Sequence, residues 1–219
     1  MFNLASLLPK ILSIPGILLA FTVHEFAHAI TAYKLGDDTP KYQGRLTLNP
    51  FAHTDPLGFL LILLVGFGWA KPVQTNPTAY KNYRKDDLKV SLAGPLGNLV
   101  GALGCAIILS ILTNFVNISG DIYGMFIVIL YLGLSINVLL CFLNLIPIPG
   151  FDGFHILDDL FPSFTAKLPR GIEGYGLIIF IICTLPILPG GASIFTYLVH
   201  IPSAYVSDLI ISLFKIRGF

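Results

Sequence analysis

Charge is what this sequence has least of. Only 11% of its 219 residues are Asp, Glu, Lys or Arg, under half of the roughly 25% found in an ordinary soluble domain. Hydrophobic residues reach 55% and mean hydropathy is +0.81, which argues against a water-soluble globule and against a disordered chain. Glutamate is scarcer still, at Glu25 and Glu173 alone. Thirteen basic residues stand against twelve acidic ones with no basic block, so the electrostatic footprint of nucleic-acid binding is missing. Cys105, Cys141 and Cys183 are the only cysteines, each inside an apolar run; they read as buried thiols and not as a disulfide scaffold.

What is present is long uncharged sequence. Lys89 and Asp121 enclose 31 uncharged residues, Asp121 and Asp152 enclose 30, and Glu173 and Asp208 enclose 34. Each exceeds the roughly 20 residues that span a bilayer. The expected fold is an all-α polytopic membrane protein forming a single domain over residues 1–219, with about five full transmembrane helices and a short re-entrant hairpin with small β-strands. Its core covers about 8–160, followed by C-terminal helices over 172–214. Lys10 and the apolar run Ile11 to Val23 imitate a signal peptide, but His24 and Glu25 before the apparent cleavage site are foreign to one, so the segment is read as retained.

The first helix runs from about 8 to 35 and stops at Gly36 and Asp37-Asp38-Thr39-Pro40. Near-alternation of Tyr42, Leu46 and Leu48 suggests a strand from Lys41 to Leu48, which Pro72 to Thr75 could pair with. Between them, Pro56 to Ala70 is too short to span and reads as a re-entrant hairpin. Full spans follow at about 88–113 and 122–146, then a Pro-rich break at 147–153, an amphipathic stretch to Phe161, and apolar segments at 172–188 and 192–214. Lys71, Lys81, Arg84, Lys85 and Lys89 mark 71–89 as cytoplasmic. By the same count the N-terminus lies outside and the tail, with Lys215 and Arg217, inside.

One string carries chemistry: His24-Glu25-Phe26-Ala27-His28. Two histidines at i and i+4 share a helical face and can grip one zinc ion, while the glutamate reaches a metal-bound water as general base. Random placement of this composition yields roughly 0.001 such matches. The motif lies about 13 residues beyond Ile11, roughly 20 Å of helix, below a membrane surface where ionisable groups mark function. A third ligand is available from Asn144-Leu145-Ile146-Pro147-Ile148-Pro149-Gly150-Phe151-Asp152-Gly153. The 122–146 helix runs in the same direction as the first, so this string arrives near His24 and His28. Its prolines break the helix, and Gly153 permits a turn that aims Asp152 back at the bundle.

Together these two motifs resemble the site-2 protease family, intramembrane zinc metalloproteases, over residues of about 15–160. The resemblance implies Zn2+ held by His24, His28 and Asp152, with Glu25 as catalytic base. Ala93-Gly94-Pro95-Leu96-Gly97-Asn98 is similar to the family's small-residue-plus-Asn element. It implies that Asn98, with Asn144 from the second motif, contacts the substrate or an oxyanion; packing of Gly94, Gly97 and Gly101 between helices is an equal reading. The hairpin after Asn49 resembles a compact bacterial subgroup, with no segment for a PDZ or nucleotide-sensing domain. His53 and His155 are candidates to support the site from outside, with loop stabilisation the favoured reading for His53. His200 reads as a packing residue, and Trp69 as an interface anchor.

The implied activity is zinc endopeptidase cleavage within or near transmembrane segments of membrane-protein substrates, as in regulated intramembrane proteolysis. The implied setting is the lipid bilayer of a prokaryotic inner membrane, multi-pass, with the active site toward the cytoplasm. Substrate would unwind and pair with an exposed strand edge. Two alternatives from other classes are a membrane metal-ion transporter and a catalytically silent scaffold that binds membrane proteins.

Overall fold

The structure, a computed structural model, describes residues 4–66 and 68–218. Among these residues ten α-helices follow one another: α1 (Leu4–Lys34), α2 (Thr39–Tyr42), α3 (Pro50–His53), α4 (Pro56–Val65), α5 (Tyr83–Phe115), α6 (Asp121–Asn144), α7 (Asp152–Leu160), α8 (Pro162–Thr165), α9 (Gly176–Thr184) and α10 (Ile201–Leu213). A π-helical turn over Thr196–His200 leads into α10. Among the described residues, α1, α5 and α6 are the helices long and apolar enough to cross a membrane.

These three helices pack against one another. Apolar surface gains nothing by leaving lipid, so close contact between small residues has to supply the attraction. The chain meets that need: a Cβ on Gly16 of α1 would lie 2.9 Å from the Gly133 Cα of α6. Ala102, Ala106, Leu109, Leu134 and Val138 are fully buried where α5 and α6 meet, and Ile210 of α10 joins them. Cys105 and Cys141 are buried free thiols and Cys183 is half-buried.

The segment between α1 and α5 departs from expectation. No strand forms over Lys41 to Leu48. Pro40 begins the helical turn α2, the Asp37 carboxylate accepts from Thr39 N at 2.8 Å, and Gly44 at φ +68° reverses the chain. Arg45 then turns inward, 6% exposed, and its guanidinium donates to the carbonyls of Ala52, Lys71 and Pro72. Tyr42 and Leu48 are left exposed. Pro72 to Thr75 is irregular and meets the 41–48 stretch through side chains and not as a strand pair, Arg45 donating to Pro72 O and Gln43 to Gln74. The β-pairing among the described residues is one antiparallel bridge, Thr54 to Ala70, with Lys71 N donating to His53 O at 2.9 Å.

That bridge closes a hairpin. α4 leaves from Asp55, whose carboxylate caps Gly58 N, and ends at Gly66 in the left-handed region; the chain then returns past Gly58 to Ala70. A side chain on Gly58 or Gly68 would strike the opposite arm. Lys10 Nζ of α1 donates to the last carbonyls of α4, Leu63 O at 2.9 Å and Leu64 O at 3.1 Å, meeting acceptors that a helix C-terminus leaves open.

The C-terminal part also differs from the sequence reading. Of the two expected full spans, α9 has nine residues. Its Ile179, with Cys183 beyond it, packs around Ile146, Ile148 and Val199, near the end of α6 that leads to α7. Only α10 continues to the other end, where Ser110 Oγ and Asn114 Nδ2 of α5 donate to Phe214 O and Lys215 O. The two segments make one net passage, so Lys215 and Arg217 lie at the end opposite to residues 71–89. This corrects the expected placement of the tail on the same side as that loop.

Candidate metal centre

On α1, the i, i+4 spacing sets His24 and His28 on one face, against α5. The contact point on α5 is Gly94: a Cβ there would collide with His28 Nε2 and come within 2.6 Å of His24 Cε1. From the far side comes Asp152. After α6, Ile148 N bonds Ile146 O and Phe151 N bonds Ile148 O, Gly150 adopts φ +96°, and Asp152 opens α7. A side chain on Gly153 would hit the carbonyls of Leu145 and Ile146, so the turn closes only on glycine.

Three ligand atoms converge as a result. His24 Nε2 lies 3.0 Å from His28 Nε2, and each lies 3.3 Å from Asp152 Oδ2. Both imidazoles have their tautomer fixed from behind: His24 Nδ1 faces Asn98 Oδ1 at 2.8 Å and His28 Nδ1 faces Val90 O at 2.7 Å. Those partners are acceptors, so each Nδ1 carries the hydrogen and each Nε2 presents a lone pair. Asp152 Oδ2 is buried without a hydrogen-bond donor. Three lone pairs aimed at one point repel unless a cation stands between them. A tetrahedral ion with bonds of about 2.0–2.2 Å to N and O has ligand edges of roughly 3.3–3.6 Å, and the two longer separations fall at the lower end of that range. The donor set fits zinc, and the carbonyl and amide behind the rings are the outer partners such histidines use.

Glu25 is 6% exposed beside this group, and its Oε2 accepts from Val73 N at 2.7 Å. A cavity of about 400 Å³ opens on His24, Glu25, His28 and Asp152, roofed by Val73 and Thr75. Asn144 lines it and donates to Leu140 O at 3.0 Å; its second Nδ2 hydrogen is directed at no described partner. His155 is exposed on the same wall.

Two expected site residues lie elsewhere. Asn98 does not line the cavity: it is fully buried behind His24, its Oδ1 taken by that ring and its Nδ2 by Ala20 O at 2.9 Å and Asn137 Oδ1 at 3.2 Å. It orients His24, and no donor remains for an oxyanion. His53 is fully buried under the hairpin base with Nε2 on Thr47 O at 2.8 Å, a loop-holding contact away from the cavity. Sequence reasoning missed Asn137, although an amide in the interior of the apolar α6 was a readable signal. It also missed Val73, which acts through its backbone and carries no signature.

The fold and site thus describe a membrane protein with a buried His-His-Asp group and an adjacent glutamate. Residues 13–187 match the model of Peptidase family M50, and the chain belongs to that family, the family of site-2 proteases. It is 39% identical over 175 residues to the Bacillus subtilis protein named "Putative zinc metalloprotease YwhC", covering 76% of each chain. The proteins named Rip2 from Mycolicibacterium smegmatis and Mycobacterium tuberculosis H37Rv bear the same description at 33% and 31% identity, over 78% and 82% of this chain. The matched region spans 66% and 69% of those two relatives, just under and just over two thirds of their length. No solved structure matches the chain.

Proposed function

We propose that this protein is an intramembrane zinc endopeptidase that cleaves membrane-protein substrates within or beside their transmembrane segments. The observation that carries this reading is the convergence of His24 Nε2 and His28 Nε2, on a helix long and apolar enough to cross a bilayer, with Asp152 Oδ2 of α7, next to Glu25. His24, His28 and Asp152 would hold the ion, and zinc bound there would supply Lewis acidity and lower the pKa of a water toward neutral. Glu25, buried beside the three ligand atoms, is the base that would accept a proton from the attacking water and return it to the leaving amine. Val73 N–H occupies Oε2 and thereby leaves Oε1 for the proton. Asn144 offers its second amide hydrogen to the scissile carbonyl, the role that Asn98 cannot fill.

The substrate helix must unwind to reach the cavity, and its backbone then needs partners. With no strand at 41–48, we assign that partner role to the irregular segment Pro72 to Thr75, which lines the cavity through Pro72, Val73 and Thr75. The basic residues of 71–89 favour a cytoplasmic-side site in a prokaryotic inner membrane, which puts cleavage near the cytoplasmic end of the substrate span.

The test is metal content per chain in detergent-purified protein without added metal, followed by cleavage of a single-span reporter. Near-stoichiometric zinc in wild type, lost in Asp152→Ala, is expected, with Glu25→Gln keeping zinc and losing cleavage. A folded wild type without zinc, zinc indifferent to Asp152, or turnover by Glu25→Gln would overturn the reading.

A further inference from the structure

Asp208 of α10 and His200, the last residue of the π-helical turn before it, are ionisable side chains on a face that the bundle leaves open. His200 and Asp208 are exposed, and among the described residues neither side chain has a hydrogen-bond or ion-pair partner. They line a cavity of about 310 Å³ with Tyr131 and Ser135 of α6 and Ser203 and Ser207 of α10. Tyr131 and Ser135 lie ten and fourteen residues into the 24-residue α6, or about 15 and 21 Å along it, so the crevice sits at the middle of a membrane-spanning helix. At that depth ionisable residues are rare and are paired or turned inward. The π-helical turn ending at His200 is itself a device found mostly at functional positions.

The arrangement selects among occupants. A second copy related by an axis normal to the membrane would bring Asp208 to Asp208 and His200 to His200 at equal depth, setting like against like. An apolar lipid chain offers the carboxylate no hydrogen bond. A foreign helix with a cationic side chain near its centre satisfies Asp208, with His200 about 12 Å further along the groove. Ala204, exposed between them, allows the close backbone approach that helix pairing in lipid requires.

We propose that the crevice between α6 and α10 is a docking site for the transmembrane helix of a partner protein that bears a basic residue at mid-membrane depth. The site is a cavity separate from the one that opens on His24, Glu25, His28 and Asp152. The probe is a synthetic Leu/Ala helix of about 24 residues with one central Lys, compared with its all-apolar counterpart. Binding to the full-length protein in phosphatidylcholine vesicles is followed by fluorescence transfer. The Lys helix should bind about 3- to 30-fold more tightly. That preference should vanish in Asp208→Leu and in Asp208→Asn, and return in Asp208→Glu. Equal binding of the two helices to wild type, a preference that survives Asp208→Leu, or self-association of the protein that Asp208→Leu abolishes would overturn the proposal. The isosteric Asp208→Asn serves should the leucine variant fail to fold.

Discussion

The backbone N–H of Val73 donates to Glu25 Oε2 at 2.7 Å, joining an irregular loop to the carboxylate between the two histidines. A hydrogen bond to a charged acceptor contributes about 1.5–3 kcal/mol. Val73→Pro deletes the donor and keeps the side chain apolar. It should retain zinc and lower kcat roughly ten- to hundredfold, with KM moving less. Parallel metal analysis and reporter kinetics would show this, and unchanged kcat would remove the role assigned to the contact.

Gly94 faces the imidazoles so closely that a methyl group has no space beside them. Gly94→Ala should improve the helix propensity of α5 by up to about 1 kcal/mol and still eject the metal. The expected result is unaltered helical circular dichroism together with zinc well below one per chain.

Asn98 and Asn137 form a buried amide relay behind His24. Asn98→Ala strips His24 Nδ1 of its acceptor and should weaken zinc binding about 10- to 100-fold in chelator competition. Asn137→Leu removes only one of the two acceptors of Asn98 Nδ2, since Ala20 O remains. Its effect on zinc should be clearly smaller.

Asp159 of α7 has a buried oxygen with no donor. Burial, with the nearby carboxylates of Asp87 and Asp158, pushes its pKa up to about 6 from an ordinary 3.8. The folded state therefore binds this proton more tightly than the unfolded chain does. The stabilisation is full below about pH 4 and is lost as pH rises through 6. Asp159→Asn should raise the unfolding midpoint at pH 7.5 and leave it nearly unchanged at pH 4, as thermal melts would register.

Much of the site was legible because its chemistry is compressed into short strings. His24, Glu25 and His28 occupy one turn of helix, and Pro147, Pro149 and Gly153 announce the turn that delivers Asp152. Asn98 was legible as important but not as to role, since sequence cannot say which side of an imidazole an amide will meet. The strand at 41–48 failed because period-two hydrophobicity over eight residues is weaker than Pro40 and Gly44 acting locally. The tail was misplaced for a similar reason. Residues 172–188 are apolar enough to cross, but Leu185, Pro186 and the Pro189-Gly190-Gly191 break end α9 early, and one missing passage inverts everything after it.

Lys10 rides on the same helix as His24 and His28, about 21 and about 27 Å from them along α1, with Pro15 between. Lys10 clasps the far tip of the α4 hairpin, while the histidines hold the chemistry. α1 is thus a beam loaded at two points. Any partner that pries the hairpin away from the bundle must first break two hydrogen bonds at its tip or drag the beam along, so the hairpin and the metal ligands share one mechanical frame.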